Sequence, residues 1–307
     1  MQTVTLARNA MATRFEIVLH GAKETSLRAA GEEALDEVAR IENQLSLYRP
    51  GSEIAQVNSR AAREAVLVSP EVFALLQHVQ QLSAETEGGF DITIAPLVRC
   101  WGFMGGTGRM PMEADVRAAL EKVGSEKVLL DPANRTVRFT HDGVMLDLGA
   151  IGKGYAVERA AEILREAGVE SALIHGGTST ACAIGAPPDA DCWKIAISAV
   201  GDMKQGFPST ITLRDESLSV SAASGRQFES GGKTFGHVID PRTGQPVEAA
   251  LLALVSLPSA TETDALSTAL LTLSLEGLEK ISSLRPGTRA LVVARDGNAS
   301  RTESRGL

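Results

Sequence analysis

Three short segments carry side chains of the types used in proton transfer, phosphate binding and metal binding. In "FGHVIDPRTGQPV", residues 235–247, His237 lies on an apolar, strand-like run that ends in a turn containing proline and glycine. An imidazole with an ordinary pKa of about 6.5 accepts a proton readily at neutral pH. The same pattern also fits a half-buried histidine on a strand that ends at this turn. The segment alone leaves both interpretations open.

A glycine-rich turn occurs in "LDLGAIGKGYAVERAAEIL", residues 146–164. An apolar strand is predicted to lead into Gly149, Gly152 and Gly154, with Lys153 among them, and an amphipathic helix follows. Free backbone N–H groups at the start of a helix attract phosphate, and glycine allows the backbone to come close. The spacing matches neither standard nucleotide-binding glycine motif, so a tight turn whose glycines serve packing is the alternative.

A carboxylate and a hydroxyl are paired in "TETDALSTALLTL", residues 261–273. Asp264 and Thr268 are four residues apart, so a helix would place their oxygens on one face. Such a pair suits a hard cation such as Mg²⁺, which takes few protein ligands. The alternative is structural: Asp264 favours the helix N-terminus, and Thr268 bonds back to a backbone carbonyl.

Two further segments place an aromatic side chain beside a turn. In "EGGFDITIAPLVRCWGF", residues 87–103, Phe90 and Asp91 follow a glycine pair, and in "LSLYRPGSEIAQVN", residues 45–58, Tyr48 precedes a Pro-Gly turn. An aromatic ring can stack on a planar ligand or cover apolar surface of the protein itself. Asp91 could likewise face a ligand or cap the turn, and the sequence leaves these alternatives open.

The elements that must position these segments are helices and strands without strict alternation. Apolar periodicity predicts helices at 26–47, from Pro70 to the Gly88-Gly89 pair, from Gly154 to near Gly168, and from about 261–264 onward. Strands are predicted at 14–19, 127–130, 135–139, 143–148, 171–175, 193–198, 209–213, 217–221, 233–239, 251–257 and 289–295. This order favours an α+β fold with a largely antiparallel sheet over a doubly wound parallel sheet.

Composition and charge exclude several classes of protein. The 307 residues are 44% hydrophobic, and the net charge of −8 with scattered basic residues argues against a nucleic-acid partner. Three cysteines without a CxxC pair argue against a disulfide framework and a thiolate zinc site. No run approaches the roughly 18 apolar residues of a membrane span, and no signal peptide or lipid-anchor cysteine is visible. We therefore expect a cytoplasmic protein.

Taken together and in this order, these segments resemble the ApbE family, the FAD:protein FMN transferases. The resemblance covers nearly the whole chain and is carried by Met11-Ala12-Thr13, "LSLYRPGSEIAQVN", "GGFDITIAPLV", "LDLGAIGKGYAVE", "HGG", "SVSAASG", "GHVIDPRTGQPV" and "DALSTALL". It implies an ApbE-like, T-fold-like α+β architecture of mixed, largely antiparallel sheets and packed helices. Residues 1–307 would form a single domain or two closely packed subdomains.

The resemblance also implies an activity, the Mg²⁺-dependent transfer of FMN from FAD to a threonine or serine of an acceptor flavoprotein, with release of AMP. His237 is then the catalytic residue, and Mg²⁺, or Mn²⁺ in its place, is held by Asp264, Thr268 and the backbone carbonyl of Gly152. The implied FAD contacts are Met11, Tyr48, Gly89, Phe90, Asp91, Gly149, Lys153, Tyr155 and Ile239. Two other activities fit the same residues: an Mg²⁺-dependent FAD pyrophosphatase that yields FMN and AMP, and a noncatalytic FAD-binding or delivery protein.

The chain departs from the family pattern at several positions. The family's glycine loop reads Gly-Gly-Ile-Ala-Lys-Gly, whereas residues 149–154 read Gly-Ala-Ile-Gly-Lys-Gly, which leaves a backbone ligand in place. Thr178 stands where asparagine or aspartate is common, and Arg226-Gln227 stands where an aromatic residue is common. A lipoprotein leader is not visible, so we expect the acceptor in the cytosol or on the cytoplasmic face of a membrane.

Overall fold

Helices and antiparallel strands are mixed along the chain, and the computed structural model describes residues 1–197, 208, 210–297 and 299–307. The helices are α1 (Glu24–Leu45), α2 (Glu53–Arg60), α3 (Pro70–Glu85), α4 (Ala95–Cys100), α5 (Glu113–Leu120), α6 (Gly152–Glu166) and α7 (Ala260–Ser283), with 3-10 turns at Ile92–Ile94 and Ser125–Lys127. The strands are β1 (Gln2–Ala10), β2 (Thr13–Gly21), β3 (Val66–Leu67), β4 (Val128–Asp131), β5 (Thr136–Phe139), β6 (Ser171–Gly176), β7 (Thr180–Ile184), β8 (Trp193–Ala196), β9 (Thr210–Leu213), β10 (Ser217–Ala222), β11 (Gln227–Ser230), β12 (Lys233–Gly236), β13 (Ala250–Leu257), β14 (Arg289–Asp296) and β15 (Ala299–Arg305). Over the described ranges, no helix combines the length and the apolar character needed to cross a bilayer.

The largest sheet within these residues has eight strands in the order β1-β2-β6-β7-β10-β13-β14-β15. Every neighbouring pair in it is antiparallel, which confirms the predicted α+β class with a largely antiparallel sheet. The β1–β2 hairpin closes through a two-residue turn, Met11-Ala12, with φ of 51° and 57°. Positive φ at both central residues is the requirement of a type I′ turn, which matches the twist of the paired strands.

Apolar side chains cover both faces of this sheet. One face packs against α1, α6 and α7, and the opposite face packs against the β8–β9 hairpin through Trp193 and Leu213. A separate group lies beside the sheet, and we call it the aromatic cluster: Leu97, Trp101, Phe103, Val116, Ala119, Val123, Phe235 and Ile239. This cluster joins α4 and α5 to the β11–β12 hairpin, and therefore fixes the end of the hairpin that leads to His237.

Strand β10 has one hydroxyl-bearing face and one apolar face, because its sequence, SLSVSA, alternates the two kinds of side chain. Successive side chains of a strand point to opposite faces of the sheet. Ser219 and Ser221 bond hydroxyls of α7, whereas Leu218 and Val220 pack on the side of the β8–β9 hairpin. The polar face of β10 therefore meets α7 near the start of that helix.

Most predicted elements are confirmed, and the differences lie mainly at their ends. The predicted helices correspond to α1, α3, α6 and α7, and α6 begins at Gly152 rather than after Gly154. The strand predicted at 233–239 ends at Gly236, so His237 lies just beyond it. Ser198 and Ser209, at the ends of two predicted strands, lie outside the described residues.

The strand predicted at 143–148 is wrong, since no strand is assigned to this described segment. The backbone of this segment bonds to a side chain instead of to a neighbouring strand. The amide of Asn58 accepts from the backbone N–H of Leu146 at 2.7 Å and donates to the carbonyl of Leu146 at 2.9 Å. The backbone N–H of Asp147 then donates to the carbonyl of Ile92 at 2.7 Å. An apolar run thus meets its backbone requirements without joining a sheet.

The first turns of α6 and α7 approach each other more closely than side chains would allow. An ideal Cβ on Gly154 would lie 2.2 Å from the carbonyl oxygen of Ala260 and 2.6 Å from Cβ of Asp264. A Cβ on Gly152, in the same helix, would meet nothing within 4 Å. Glycine is therefore required at 154 for contact between the two helices, and not for backbone conformation.

This contact predicts that Gly154→Ala destabilises the fold although alanine favours helices. Alanine in a helix interior is ordinarily worth about 0.5–1 kcal/mol relative to glycine, whereas overpacking a tight contact costs about 1–3 kcal/mol. We expect a lower free energy of unfolding for Gly154→Ala in urea titrations without ligands. Gly152→Ala is the matched control and should be neutral or stabilising. Equal stability of the two variants would contradict the assigned contact.

Candidate active site

The starting point of the site is the buried carboxylate of Asp264, in the second turn of α7, which is only 4% exposed. Its Oδ2 accepts the backbone N–H of Gly154 at 2.9 Å. In return, Oε2 of Glu158 on α6 accepts from Oγ of Ser259 and from the N–H of Thr261, both at 2.7 Å. Carboxylates are stabilised at helix N-termini by unpaired N–H groups and by the helix dipole. Each helix therefore supplies a carboxylate to the N-terminus of the other.

Hydroxyl groups of two strands complete the surroundings of this carboxylate. Oγ1 of Thr180 donates to Oδ1 of Asp264 at 3.4 Å and accepts from Oγ of Ser219 at 3.1 Å. Oγ of Ser221 lies 3.1 Å from Oγ1 of Thr268. Thr268 also donates to the backbone carbonyl of Asp264 at 3.2 Å, as the structural alternative for this residue expected. The hydroxyl of Thr268 still has an acceptor lone pair, so that bond does not prevent a metal contact.

A cavity of about 870 Å³ opens beside this network. It is large enough for a dinucleotide-sized ligand and lies between the large sheet, the start of α6 and the residues that follow β12. Most of the residues singled out in the sequence line it, namely Tyr48, Gly89, Phe90, Asp91, Gly149, Lys153, His237, Ile239, Asp264 and Thr268. Segments that are up to some two hundred positions apart in sequence are thus brought to one cavity.

Three of the sequence-predicted site residues do not line the cavity. Met11 lies in the β1–β2 turn, where its backbone N–H donates to Oε1 of Glu42 at 2.8 Å. Tyr155 is half-buried on α6 against the helical core, and burial raises its pKa. Gly152 is the first residue of α6 and precedes the cavity-lining Lys153. Their assigned roles stay predictions.

His237 lies directly after β12 on the cavity wall. Its backbone N–H donates to the carbonyl of Arg226 at 2.9 Å, and its Nδ1 is 3.2 Å from the same oxygen. The ring also meets Phe103 edge-on, with centroids 6.4 Å apart and planes at 72°. Burial lowers the pKa of His237 below its usual value, and the positive charges of Arg226 and Lys153 act in the same direction. This direction favours the neutral imidazole, which is the form that can accept a proton.

Two carboxyl groups, the buried Asp91 and the half-buried Asp147, lie on other parts of the wall. Oδ1 of Asp91 accepts from the N–H and the hydroxyl of Thr93 at 2.7 and 2.6 Å, so Asp91 caps the 3-10 turn and also faces the cavity. Oδ1 of Asp147 accepts the N–H of Gly149 at 2.8 Å. Burial raises the pKa of both carboxyl groups, and the bonds to Thr93 and Gly149 oppose that rise.

The two aromatic side chains differ in how much surface they offer to a ligand. Phe90 is 2% exposed and belongs to the main core, so it contributes only an edge to the cavity wall. Tyr48 is 63% exposed, follows α1 and stands at the cavity mouth. Its pKa is raised by partial burial and by the charge of Asp147, and Arg226 opposes this. Tyr48 therefore offers an exposed aromatic ring at the opening.

Several cavity residues are not among the site residues predicted from the sequence. Asp147 lies in the segment predicted as a strand, and His175 ends the strand predicted at 171–175, yet both line the cavity. Nδ1 of His175 lies 3.0 Å from the carbonyl of Gly177, and its Nε2 is 3.8 Å from Oε1 of Glu16. The position of Asp147 two residues before the glycine turn was the available signal. For Thr180, whose partner is 84 residues away, no local signal exists.

The donor set around Asp264 fits Mg²⁺. The Asp264 carboxylate and the Thr268 hydroxyl are hard oxygen donors, which Mg²⁺ prefers, and the ion retains water or phosphate oxygens at its other positions. Nζ of Lys153 lies 3.9 Å from Oδ1 of Asp264 and 3.2 Å from the carbonyl of Gly149. In the part of the chain that the structure describes, no group of three or more His, Cys, Asp or Glu side chains could hold a metal. A site here accordingly needs hydroxyl, carbonyl and substrate oxygens.

Comparisons with known proteins agree with this architecture. A curated relative from Klebsiella pneumoniae, named FAD:protein FMN transferase, is 34% identical over 213 residues, which are 69% of this chain and 65% of the relative. A protein of the same name from Salmonella typhimurium is 27% identical over 84% of this chain and 75% of its own length. The chain thus spans just under two thirds of the first relative.

Solved structures extend the likeness over the whole fold. The ApbE protein of Thermotoga maritima superposes with a TM-score of 0.86 at 28% identity, covering 98% of this chain and 96% of that one. The flavinyl transferase ApbE of Pseudomonas stutzeri, in its apo form, gives 0.85 at 29% identity, covering 99% and 94%. The family profile described as ApbE matches residues 11–292. The cavity, the paired helix starts and these matches together place the chain in the ApbE family.

Proposed function

We propose that this protein transfers the FMN half of FAD to a threonine or serine hydroxyl of an acceptor flavoprotein, with Mg²⁺ and with release of AMP. One observation carries the proposal: His237, Lys153 and the carboxylate–hydroxyl pair of Asp264 and Thr268 line one dinucleotide-sized cavity. The names of the relatives from Klebsiella pneumoniae and Salmonella typhimurium support the same activity.

FAD is a long ligand with an aromatic end and a doubly charged middle, and the cavity has matching parts. The apolar and aromatic positions Tyr48, Phe90 and Ile239 suit the ring system. The glycine turn and Lys153 suit the pyrophosphate, because backbone N–H groups at a helix start and an ammonium group both attract phosphate. We assign the flavin and the pyrophosphate to these two parts of the cavity.

The chemical step is a displacement at the phosphorus of the FMN half. The hydroxyl oxygen of the acceptor forms a bond to that phosphorus, and the bond from phosphorus to the bridging oxygen breaks. The bridging oxygen leaves with its electron pair as part of AMP. The hydroxyl proton passes to the neutral imidazole of His237, which acts as general base. Lys153 opposes the negative charge that the hydroxyl oxygen must approach.

Mg²⁺, when bound by Asp264, Thr268 and the carbonyl of Gly152, supplies neutralisation of the phosphoryl oxygens. Asp264 keeps its position through the N–H of Gly154, and Thr268 through the hydroxyl of Ser221. These bonds hold the side chains of Asp264 and Thr268 in place before Mg²⁺ binds, so the two side chains need little rearrangement on binding.

The first experiment is the intact mass of a threonine-bearing acceptor flavoprotein domain after incubation with this protein, FAD and Mg²⁺. We expect a mass gain of one FMN less water that is absent with EDTA, together with AMP. AMP and free FMN without a mass gain would replace the proposal with a pyrophosphatase. FAD binding without either product, tested with several acceptor domains, would indicate a carrier.

Replacing the general base should remove transfer and leave FAD binding nearly unchanged. For His237→Ala we expect a loss of about 10²–10⁴-fold in the rate of flavinylation, the usual contribution of a general base. FAD affinity is followed by flavin fluorescence in the same samples. A variant that flavinylates at the wild-type rate would refute the role of His237.

The pH dependence of the wild-type protein provides a second test of the same role. Because burial lowers the pKa of His237 below the ordinary 6.5, the base form persists to more acidic pH than in a free histidine. We expect kcat/KM to be flat around pH 7 and to fall, as the imidazole is protonated, only below about pH 6.5. An acidic limb centred above that value would contradict a lowered pKa.

Removing the carboxylate of Asp264 should weaken metal dependence and transfer together. For Asp264→Ala, and for Asp264→Asn, which keeps an acceptor for the N–H of Gly154, we expect the Mg²⁺ concentration at half-maximal rate to rise at least about tenfold. The exposed Asp296 provides the matched control, since Asp296→Ala removes the same charge at a position that does not line the cavity. Unchanged activity and metal titration would make Asp264 a purely structural helix-start residue.

A further inference from the structure

Gly225, three residues after β10, lies against the Cε1 end of the His237 ring. An ideal Cβ at this position would be 2.5 Å from Cε1, 3.1 Å from Nδ1 and 3.4 Å from Nε2 of His237. Gly225 is not among the glycines with positive φ, so its backbone conformation is open to any residue. The absence of a side chain at 225 is therefore explained by the imidazole and not by the turn.

The carbonyl of the next residue, Arg226, meets the imidazole from its Nδ1 side. This oxygen accepts the backbone N–H of His237 at 2.9 Å and lies 3.2 Å from Nδ1. A carbonyl oxygen can only accept, so the hydrogen of the neutral ring must reside on Nδ1. The lone pair of the neutral ring is then on Nε2.

A third contact closes the surroundings of the ring. Phe103 of the aromatic cluster meets the imidazole edge-on. The guanidinium group of Arg226 donates to the carbonyls of Phe103 and Gly106, which holds this loop beside the histidine. Arg226 thus contacts the histidine through its backbone and the opposing loop through its side chain.

We propose that Gly225 and Arg226 form a seat for His237, in which the bare backbone of Gly225 admits the ring and the Arg226 carbonyl selects the Nδ1–H tautomer. Nε2 is therefore the atom that accepts the proton of the acceptor hydroxyl. Both are positioning residues, because each acts through His237. The catalytic consequence rests on the proposed function, whereas the geometry of the seat does not.

The tautomer is measured directly on the wild-type protein by ¹⁵N NMR of labelled histidines. At a pH above the histidine pKa, we expect His237 to show a protonated Nδ1 and an unprotonated Nε2. Its signals are identified among those of the five histidines by their loss in His237→Ala. A protonated Nε2 would overturn the seat. The NMR measurement needs no substitution at position 225, so it tests the tautomer even if a variant at that position folds poorly.

Gly225→Ala tests the consequence for catalysis. The added methyl group must displace the imidazole, because the ring is the movable partner, and the bond from Nδ1 to the Arg226 carbonyl is then lost. We expect kcat to fall by about 10²-fold, since a misplacement of about 1 Å has this cost, with the KM for FAD unchanged. The Nδ1–H signature should weaken in the same variant. Wild-type kcat with an unaltered signature would overturn the proposal.

The double variant Gly225→Ala/His237→Ala is the matched control. If Gly225 acts only through the imidazole, the substitution should cause no further loss once the ring is gone. A further loss in the His237→Ala background would show that Gly225 matters for another reason. Failure of the proposed function has a different result: no transfer to any acceptor, with the tautomer and its response to Gly225→Ala as expected.

Discussion

The contact on which the site depends is the bond between the backbone N–H of Gly154 and the buried carboxylate of Asp264. It joins the N-termini of α6 and α7, two helices that pack side by side on one face of the large sheet. A buried carboxylate is costly unless its oxygens are satisfied, and here a helix N-terminus and a hydroxyl satisfy them. Glu158 makes the reciprocal contact to the N-terminus of α7. A shift of either helix along its axis would therefore break hydrogen bonds at the N-termini of both helices. The position of the candidate metal ligands follows from this junction.

The hydroxyl face of β10 gives the junction its second support. Ser219 and Ser221 replace the apolar side chains that a buried strand face ordinarily carries, and they extend the polar environment of Asp264 into the sheet. The opposite face of the same strand remains apolar under the β8–β9 hairpin. A single strand therefore presents hydroxyl groups to α7 and apolar side chains to the β8–β9 hairpin, and period-two alternation is sufficient to do so.

Much of the fold and of the candidate site could be predicted from local patterns. The helix that carries Asp264 and Thr268, and the glycine turn before α6, each have a signal within about fifteen residues. Features that depend on distant partners had no such signal. The side chain of Asn58, 88 positions away, makes the two backbone hydrogen bonds of Leu146 that a neighbouring strand would otherwise make. The apolar run at 143–148 therefore resembles a strand in sequence, and Asp147 within it was not predicted to line the cavity. Likewise, the family resemblance, and not the residue pattern, assigned Met11, Gly152 and Tyr155, which lie off the cavity wall.

The orientation of the His237 ring is not set by a strand, because His237 lies just beyond the end of β12. Phe235 and Ile239, on either side of it, belong to the aromatic cluster, whereas Val238 packs against the main core. The histidine therefore stands where two separately packed groups of residues meet, and the cavity opens along that boundary. The side chain of His237 lies at the meeting point of both groups, so its ring needs local contacts of its own. Gly225 at Cε1, the Arg226 carbonyl at Nδ1 and the ring of Phe103 are those contacts, and they orient the imidazole with few residues.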